Sequence, residues 1–436
     1  MPPSRGAAIE ELEMFDVVIV GGGPAGARAA WQLARTGARV AVVDGSHPRE
    51  KPCGGGVTRR AIELLTGARD GAVQLSPQLL DRLQPIRTAR FEQDGRAAVV
   101  SLQLQPPARA LGEEDVPPRA AEAARPGPAG GDAAGRAASA RTELYVVDRA
   151  AFDGGLLEAA VAAGAELIAE RAVDVAVRGD GCQVLTRRRR IEGRWLIGAD
   201  GATSLVRRRC GQPLPRTQLS IATGWFARDL SSHEIVVRFE AHPAGYLWSF
   251  PRIDHLAIGV CAQADACTPE QLRRVAAAWT ARALPPGRRL DAYSWPIPSL
   301  DAGALARERP AGAGWLLVGD AAGLVDPITR EGIFFALRSA DLAAAALAGD
   351  ADPARGYRAA LEHELYPELR RAARLKTGFF RPGFVGLMVE ALARSAAVRH
   401  VMADLVGGRQ SYRTLPWRLA RTLELGLAWR LARLGR

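Results

Sequence analysis

The stretch GGGPAG at residues 21–26 has the residue types and spacing that bind a pyrophosphate. Gly21 permits a tight turn, Gly23 lets the backbone approach a phosphate, and Gly26 lets a helix pack closely on a strand. The N-terminus of the helical pattern that follows supplies amide donors and the positive end of a dipole. These residues therefore predict a site for the phosphates of a dinucleotide.

The elements around this turn are typical of a nucleotide-binding fold. Apolar runs at 15–20 and 39–44 predict buried parallel strands, and the pattern at 24–35 predicts a helix between them. Asp44 ends the second strand, where a carboxylate can accept hydrogen bonds from ribose hydroxyls. We therefore expect a βαβ unit rather than an incidental glycine turn.

Two later apolar runs also end in a turn that contains glycine and aspartate. The run at 195–199 leads into Asp200, and the run at 315–318 leads into Asp320. A helical pattern follows each, so each aspartate would lie at the carboxyl end of a strand. Because these runs are far apart in the sequence, we expect a discontinuous α/β nucleotide domain.

Together these three turns resemble the flavoprotein hydroxylase and reductase superfamily, in which the last turn lets an aspartate hold the ribityl or ribose-phosphate part of FAD. Four further segments are similar to its geranylgeranyl reductase branch. They lie at residues 51–56, 147–153, 246–251 and 326–333. The resemblance covers roughly residues 14 to 345 except an insertion, and it implies FAD as the cofactor.

One residue departs from the family pattern. Arg330 stands where the family usually has glycine, at a position next to the flavin ring in relatives. A bulky cation there would alter the dinucleotide pocket, contact a diphosphate or accompany a divergent activity.

The resemblance and the glycine motif together imply a set of FAD contacts. The implied cofactor-binding residues are Gly21, Gly23, Ala25, Gly26, Asp44, Cys53, Gly54, Gly56, Arg149, Val173, Asp320, Gly332 and Ile333. Arg149 has the alternative of a surface salt bridge with Asp148 or Asp153, and Val173 that of an ordinary strand residue. Gly332 follows a turn with proline and is expected to open a helix whose amides stabilise a reduced, anionic flavin.

The substrate side of the site is assigned to Tyr246, Trp248 and Phe250. Tyr246 and Trp248 alternate with smaller or aliphatic residues, so they share one face of a strand. That face is either an ordinary packing surface of a sheet or a flat apolar wall beside the flavin, shaped for an isoprenoid chain. Cys53 is either a small buried hydrophobe or a residue at the flavin face.

The implied reaction is reduction of a double bond in a geranylgeranyl or related polyprenyl lipid or prenyl diphosphate. A prenyl double bond is electron-rich and has no carbonyl to accept negative charge, so protonation must precede or accompany hydride transfer from flavin N5. Cys53, Tyr246 and the flavin itself are the candidate acids. The reductant would be NAD(P)H or a ferredoxin-like protein, since no second dinucleotide motif is visible.

Three other functions stay open. An aromatic hydroxylase of the same superfamily usually has histidine where this chain has Gly323, and a flavin halogenase needs a catalytic lysine. The chain has two lysines, Lys51 and Lys376, and neither lies in the halogenase motif. The third alternative is a flavin-containing lipid-binding or electron-shuttling protein without turnover of its own.

Composition narrows the class of protein further. The 436 residues are 48% hydrophobic and 24% charged, which is typical of a globular protein, and the net charge is +11. The arginines are scattered without an aromatic stripe, which disfavours nucleic-acid binding. The five cysteines form no C-x-x-C pair, so we expect a reduced cytoplasmic protein with no metal site. No export signal or membrane-spanning run is evident.

The predicted fold class is α/β, with a discontinuous Rossmann-like FAD-binding domain, an antiparallel-sheet substrate domain and a C-terminal helical region. Residues 105–140, rich in Pro, Gly, Ala and Arg, predict a floppy low-complexity insertion. The predicted division is FAD-binding domain 14–87, 141–212 and 301–348; substrate domain 88–104 and 213–300; helical region 349–436.

The last 22 residues, 415–436, have an amphipathic helical pattern. Five leucines share one face, and arginines lie largely opposite. An ordinary helix docked on the core and a peripheral contact with a membrane surface both fit this pattern.

Overall fold

The computed structural model describes residues 14–67, 73, 75–104, 142–179 and 181–422. It contains an eight-stranded sheet, a seven-stranded sheet, a small three-stranded sheet and helices at the C-terminal end. The predicted fold class is confirmed. The predicted insertion at 105–140 lies outside the described residues.

The described residues form eighteen strands. In chain order they are β1 (Met14–Val20), β2 (Val40–Val43), β3 (Gly56–Thr58), β4 (Gln84–Pro85), β5 (Thr88–Gln93), β6 (Arg96–Ser101), β7 (Leu144–Val146), β8 (Glu166–Ile168), β9 (Asp174–Arg178), β10 (Gly181–Leu185), β11 (Arg190–Gly198), β12 (Leu219–Arg228), β13 (Glu234–Ala241), β14 (Ala244–Pro251), β15 (His255–Gln263), β16 (Leu290–Pro298), β17 (Ala311–Gly312) and β18 (Trp315–Leu317).

Helices cover the sheets and form the C-terminal region. In chain order they are α1 (Pro24–Arg35), α2 (Arg59–Thr66), α3 (Pro77–Asp81), α4 (Arg149–Ala162), α5 (Leu205–Cys210), α6 (Pro269–Ala283), α7 (Ala302–Arg307), α8 (Ile333–Gly349), α9 (Pro353–Glu364), α10 (Tyr366–Phe379), α11 (Pro382–Arg394), α12 (Ala396–Val406) and α13 (Leu415–Ala420).

The eight-stranded sheet gathers chain-distant strands into a parallel core. Its main order is β17-β18-β11-β1-β2-β8, and β10 and β9 extend it as an antiparallel ribbon. Strand β1 is parallel to both β11 and β2, and β18 is parallel to β11. Because parallel strands end at the same edge, the turns that contain Gly21, Asp44, Asp200 and Asp320 meet there.

Helix α1 packs against this edge at very short range. A Cβ on Gly26 would lie 1.8 Å from the carbonyl oxygen of Gly21, so only glycine allows this approach. The opposite side of α1 is tied to α8 by a buried ion pair, in which Arg28 Nε lies 2.6 Å from Asp341 Oδ1. The predicted role of Gly26 in close helix packing agrees with this geometry.

The seven-stranded sheet has the order β16-β12-β15-β14-β13-β5-β6. Its pairings are antiparallel except for that of β13 with β5, which is parallel. Helix α6 covers one face, where Leu272 and Ala276 pack on Leu247 and Val260. Tyr246, Trp248 and Phe250 on the other face line a cavity that also borders the eight-stranded sheet.

The C-terminal helices cover the β5–β6 end of the same sheet. Val385, Val389 and Leu392 of α11 share a buried cluster with Phe91 and Val100 of the sheet. The helical region is thus part of the sheet's packing rather than a separate appendage. This contact was not expected from the sequence, where no motif marks the region.

The amphipathic pattern at 415–436 falls mostly outside the described residues. Its first part forms the short helix α13, on which the Trp417 side chain is 76% exposed. Among the described helices, none is both long and apolar enough to cross a membrane.

We expect Gly26→Ala to disrupt the junction between α1 and the turn, because the new methyl group would collide with a backbone oxygen. The cost of such overpacking should be about 3 kcal/mol or more, which lowers the midpoint of thermal unfolding by roughly 5–10 °C. Circular dichroism during heating measures it. Gly378→Ala is the control, because a Cβ at that helical position meets no described atom within 4 Å. Equal midpoints for both variants would contradict the packing argument.

Candidate functional site

One cavity of about 1250 Å³ runs from the carboxyl edge of the parallel sheet to the open face of the seven-stranded sheet. Of the residues predicted for the site, only Gly26 does not line it. The predicted residues that do are Gly21, Gly23, Ala25, Asp44, Cys53, Gly54, Gly56, Arg149, Val173, Tyr246, Trp248, Phe250, Asp320, Gly332 and Ile333. The fold thus brings together segments that lie as far apart as residues 21 and 333.

The glycine turn presents its backbone to this cavity. Gly21 has a φ of +107°, and a Cβ there would lie 2.5 Å from the carbonyl oxygen of Ala199. Gly23 is the N-cap of α1, and a Cβ on it would have no described atom within 4 Å. No described side chain caps α1. The turn therefore leaves an open cradle, at the positive end of a helix, that fits a pyrophosphate.

Asp44 supports the turn as well as facing the cavity. Its Oδ2 accepts a hydrogen bond from the Gly22 amide at 2.7 Å, and its Oδ1 accepts from Ser46 at 2.6 Å. Burial by itself would raise the pKa of this carboxyl, but the hydrogen bond from His47 and the other donors hold it well below its usual range. Asp44 is therefore ionised and fixed in place.

His47 is a site residue that the sequence reasoning missed. Its Nδ1 lies 2.9 Å from Asp44 Oδ2, and its Nε2 lies 3.5 Å from Asp153 Oδ2. Burial alone would lower its pKa, but Asp153 and Asp44 raise it to about 9. A protonated His47 consequently links the end of β2 to α4.

Arg149 extends this link toward the Cys53 loop. Its guanidinium binds Asp153 with two hydrogen bonds, 2.8 and 2.7 Å long. Asp153 does form the ion pair that was the alternative for Arg149, but the pair is buried rather than on the surface, and Arg149 still lines the cavity. Although burial opposes its charge, Asp153 and the neighbouring Cys53 sulfur raise the pKa of Arg149 further.

The Cys53 loop is held in place by hydrogen bonds and by contact with the Phe250 ring. The Cys53 sulfur accepts a hydrogen bond from the Gly55 amide at 3.1 Å, and the Cys53 carbonyl accepts one from Arg252 Nη2 at 2.9 Å. A Cβ on Gly54 would lie 2.7 Å from the Phe250 ring. Glu50 accepts from the first amides of α4 and forms an ion pair with Arg252. Arg252, fully buried, therefore fixes this loop, and it too was missed from the sequence.

The third turn brings a charged pair and a second helix N-terminus to the cavity. Asp320 Oδ2 lies 2.9 Å from Lys51 Nζ. Gly332 is the N-cap of α8, as predicted, and no side chain in the described part of the chain caps this helix. The amides of α8 can thus stabilise negative charge in the cavity.

Arg330 adopts a backbone conformation that favours glycine. Its φ is +61°, in the left-handed region that glycine occupies without strain. Its side chain lines the cavity and donates to the Ser299 hydroxyl and, at 2.7 Å, to the Pro327 carbonyl.

The sheet face that borders the cavity is aromatic in its middle. The rings of Tyr246 and Trp248 on β14 lie 6.0 Å apart, and Phe380 stacks on Tyr246 at 6.5 Å. Leu247 between them points to the opposite face, as the alternation predicts. The Tyr246 hydroxyl donates to the Thr329 carbonyl at 3.3 Å.

Beyond this wall the cavity becomes apolar. The lining residues there come from β5, β13 and the helices α10 and α12. They are Phe91, Ile235, Val237, Phe239, Phe379, Met402, Leu405 and Val406. The helical residues were not predicted, because an apolar helical period alone does not distinguish core packing from a cavity wall.

Comparison with known proteins agrees with this architecture. The family described as FAD binding domain matches residues 14–371. The chain belongs to this FAD-binding family. FAD is its cofactor, and the open cradle at Gly23, the uncapped α8 and the Lys51–Asp320 pair fit a molecule with a pyrophosphate and a ribityl chain.

The most informative relatives are reductases. A digeranylgeranylglycerophospholipid reductase of Methanothrix thermoacetophila is 28% identical over 345 residues, 75% of this chain and 76% of that protein. A menaquinone reductase of Mycobacterium tuberculosis is 31% identical over 351 residues, 76% of this chain and 75% of that protein. A geranylgeranyl bacteriochlorophyll reductase-like protein of Thermoplasma acidophilum has a TM-score of 0.69 at 20% identity, with 94% of this chain and 99% of that chain covered. This FAD-binding protein is thus a flavoprotein oxidoreductase of the geranylgeranyl reductase type.

We expect His47→Gln to remove a pH-dependent part of the stability of this FAD-binding protein. Because the pKa of His47 is raised from 6.5 to about 9, its ion pairs stabilise the folded state fully below pH 6.5 and lose this effect as pH rises through 9. The thermal midpoint of the variant should be lower at pH 6 and approach that of the unmodified protein near pH 10.

The control for this titration is His363→Gln, since His363 is exposed and distant from the network. Thermal midpoints measured across this pH range, with bound FAD quantified at each point, give the comparison. A constant difference between the His47 variant and the unmodified protein at every pH would rule out the ion-pair explanation.

Proposed function

We propose that this protein reduces carbon–carbon double bonds of a geranylgeranyl or related polyprenyl lipid. The observation that carries the proposal is the continuity of the cavity, which passes from the FAD cradle along Tyr246 and Trp248 into the apolar region between β13 and α12. A long hydrocarbon chain would gain about 25 cal/mol for each Å² of apolar surface that it buries there. The names of the related reductases point to the same substrate class.

The proposed division of labour follows from the lining. Bound FAD, once reduced, supplies a hydride. The chain holds the cofactor through the glycine turn and the Lys51–Asp320 pair, and it holds the hydrocarbon against the aromatic wall of β14. Within this wall, the Trp248 side chain is only 5% exposed. Exclusion of water protects positive charge that develops on the protonated alkene.

Two side chains are candidates for the proton donor. Tyr246 keeps its proton, because burial raises its pKa well above the ordinary value, and its hydroxyl donates to the carbonyl of Thr329 and lies beside the Cys261 sulfur. The Cys53 sulfur lies beside the Arg149 guanidinium, on the loop that faces the cavity. We propose that one of these groups protonates the less substituted alkene carbon while hydride reaches the other.

The hydroxylase and halogenase alternatives receive less support. Gly323, where hydroxylases usually have histidine, has a φ of +74°, and a Cβ there would press on the Leu300 side chain at 3.0 Å. Both lysines already have partners. Lys51 forms an ion pair with Asp320, and Lys376 donates hydrogen bonds to Ser299 and Gln263. Neither arrangement resembles an unengaged catalytic lysine.

The reaction itself can be tested with the FAD-loaded protein. Reduced with dithionite under anaerobic conditions and incubated with geranylgeranyl diphosphate or a geranylgeranyl glycerolipid, it should give products heavier by two hydrogens for each bond reduced. Mass spectrometry detects them. An oxygen-containing product formed only with NADPH and air would instead identify a hydroxylase. Absence of any product with every prenyl compound would leave a binding role and reject the reductase.

We expect Cys53→Ser to slow single-turnover reoxidation of the reduced flavin by substrate about 100-fold if the thiol is the acid, with no loss of bound FAD. Cys210→Ser is the control, because Cys210 does not line the cavity. Stopped-flow absorbance of the flavin gives the rate, and the visible spectrum gives the FAD content. An unchanged rate would remove Cys53 as the acid and leave Tyr246, for which Tyr246→Phe is the corresponding variant.

A further inference from the structure

Arg330 lies at a corner of the cavity where positive charge has no counter-ion. No carboxylate of the described residues is within ion-pair distance of its guanidinium, and its Nε is buried without a hydrogen-bond partner. Its contacts are the neutral Ser299 hydroxyl, the Pro327 carbonyl and the Cys261 thiol. Arg330 itself is half-buried, and a partly buried cation without a counter-ion favours a ligand that supplies the opposite charge.

A second cation adds to this charge. Lys376 Nζ donates at 2.7 Å to the same Ser299 hydroxyl that accepts from Arg330, and no described carboxylate forms an ion pair with it. Burial and the neighbouring Arg330 lower the pKa of Lys376 to about 7. An anion near Arg330 would relieve the repulsion between these two groups.

Further donors line the same corner. The Trp295 indole nitrogen is buried without a partner, and so is Nε of Arg49, whose guanidinium lies 5.0 Å from the Trp295 ring centre. Both residues line the cavity together with Arg330. Unpaired donors of this kind, with no acceptor among them, suit a ligand group that carries several oxygen atoms.

The sheet register places this corner relative to the hydrocarbon region. Trp295, Ala222, Cys261, Tyr246 and Phe239 are cross-strand neighbours on β16, β12, β15, β14 and β13. With a strand spacing of about 4.8 Å, the Cys261 position beside Arg330 is about 5 Å from Tyr246 and about 10 Å from Phe239. Polarity along this row therefore changes from cationic to aromatic to apolar.

We infer that the Arg330 corner is a headgroup subsite, which takes the phosphate or diphosphate end of the prenyl substrate while the chain crosses the Tyr246 wall toward β13 and β5. The inference rests on the proposed function, since it assumes a prenyl ligand in this cavity. Such a subsite would bind an anionic prenyl phosphate in preference to a neutral prenyl alcohol or quinone.

Binding to the FAD-loaded, oxidised protein tests the subsite without turnover. Farnesyl diphosphate and farnesol have the same hydrocarbon chain and differ only in the headgroup. The ratio of their dissociation constants, measured by isothermal titration calorimetry, therefore gives the contribution of the headgroup to affinity. The unmodified protein should bind farnesyl diphosphate at least tenfold more tightly. The Arg330→Gly substitution should weaken the binding of farnesyl diphosphate at least tenfold and leave the affinity for farnesol unchanged.

Arg330→Gly is a suitable variant because glycine adopts the φ of this position without strain. Arg288→Gly, at an exposed position that does not line the cavity, controls for the loss of one positive charge. Inorganic diphosphate and a short-chain phosphatidic acid, titrated in parallel, show whether a free diphosphate or a phosphoglycerolipid is preferred.

Equal affinities for diphosphate and alcohol, or equal losses of both in Arg330→Gly, would overturn the subsite. A fall in FAD content with unchanged discrimination between the ligands would assign Arg330 to the cofactor and overturn it as well. Headgroup discrimination without any reduced product would reject the proposed reductase activity and keep the subsite. If farnesol and farnesyl diphosphate are both reduced and bind with equal affinity, the reductase activity is supported and the headgroup subsite is rejected.

Discussion

Parallel pairing of four strands, from three distant parts of the chain, is the constraint on which this site depends. Strand β1 lies between β2 and β11, and β18 adjoins β11, so all four carboxyl ends reach one edge of the sheet. The close approach of Gly26 to the Gly21 carbonyl then sets helix α1 with its N-terminus at that edge. The glycine turn and Asp320 are about 300 residues apart in the sequence, and this pairing brings them close enough in space to share a ligand.

Buried charge connects the two ends of the cofactor site. Asp44, His47, Asp153 and Arg149 alternate in sign from the end of β2 to the neighbourhood of Cys53. Such a chain is balanced in charge, so burial costs less than it would for any member alone. It gives the nucleotide end and the Cys53 loop a common rigid support, which matters because hydride transfer requires precise relative placement of cofactor and substrate.

Two structural units with different chemistry share one cavity. The parallel sheet contributes backbone amides, glycines and ion pairs, whereas the antiparallel sheet and the helices α10 and α12 contribute aromatic and aliphatic surface. Arg330, on the loop that leads into α8, places positive charge at the polar end of the apolar region. This arrangement suits an amphiphile that must present one bond of a long chain beside a flavin.

The sequence by itself determined the local backbone chemistry. Glycines that need a positive φ or a close approach, such as Gly21 and Gly26, and the alternation that exposes Tyr246 and Trp248 are encoded within a few residues, so strand, turn and helix followed from them. Only the tertiary structure decided which side chains meet across long separations. His47 with Asp153, Arg252 with the Cys53 loop and the unpaired Arg330 depend on how the two sheets face each other, a property that no short window of sequence contains.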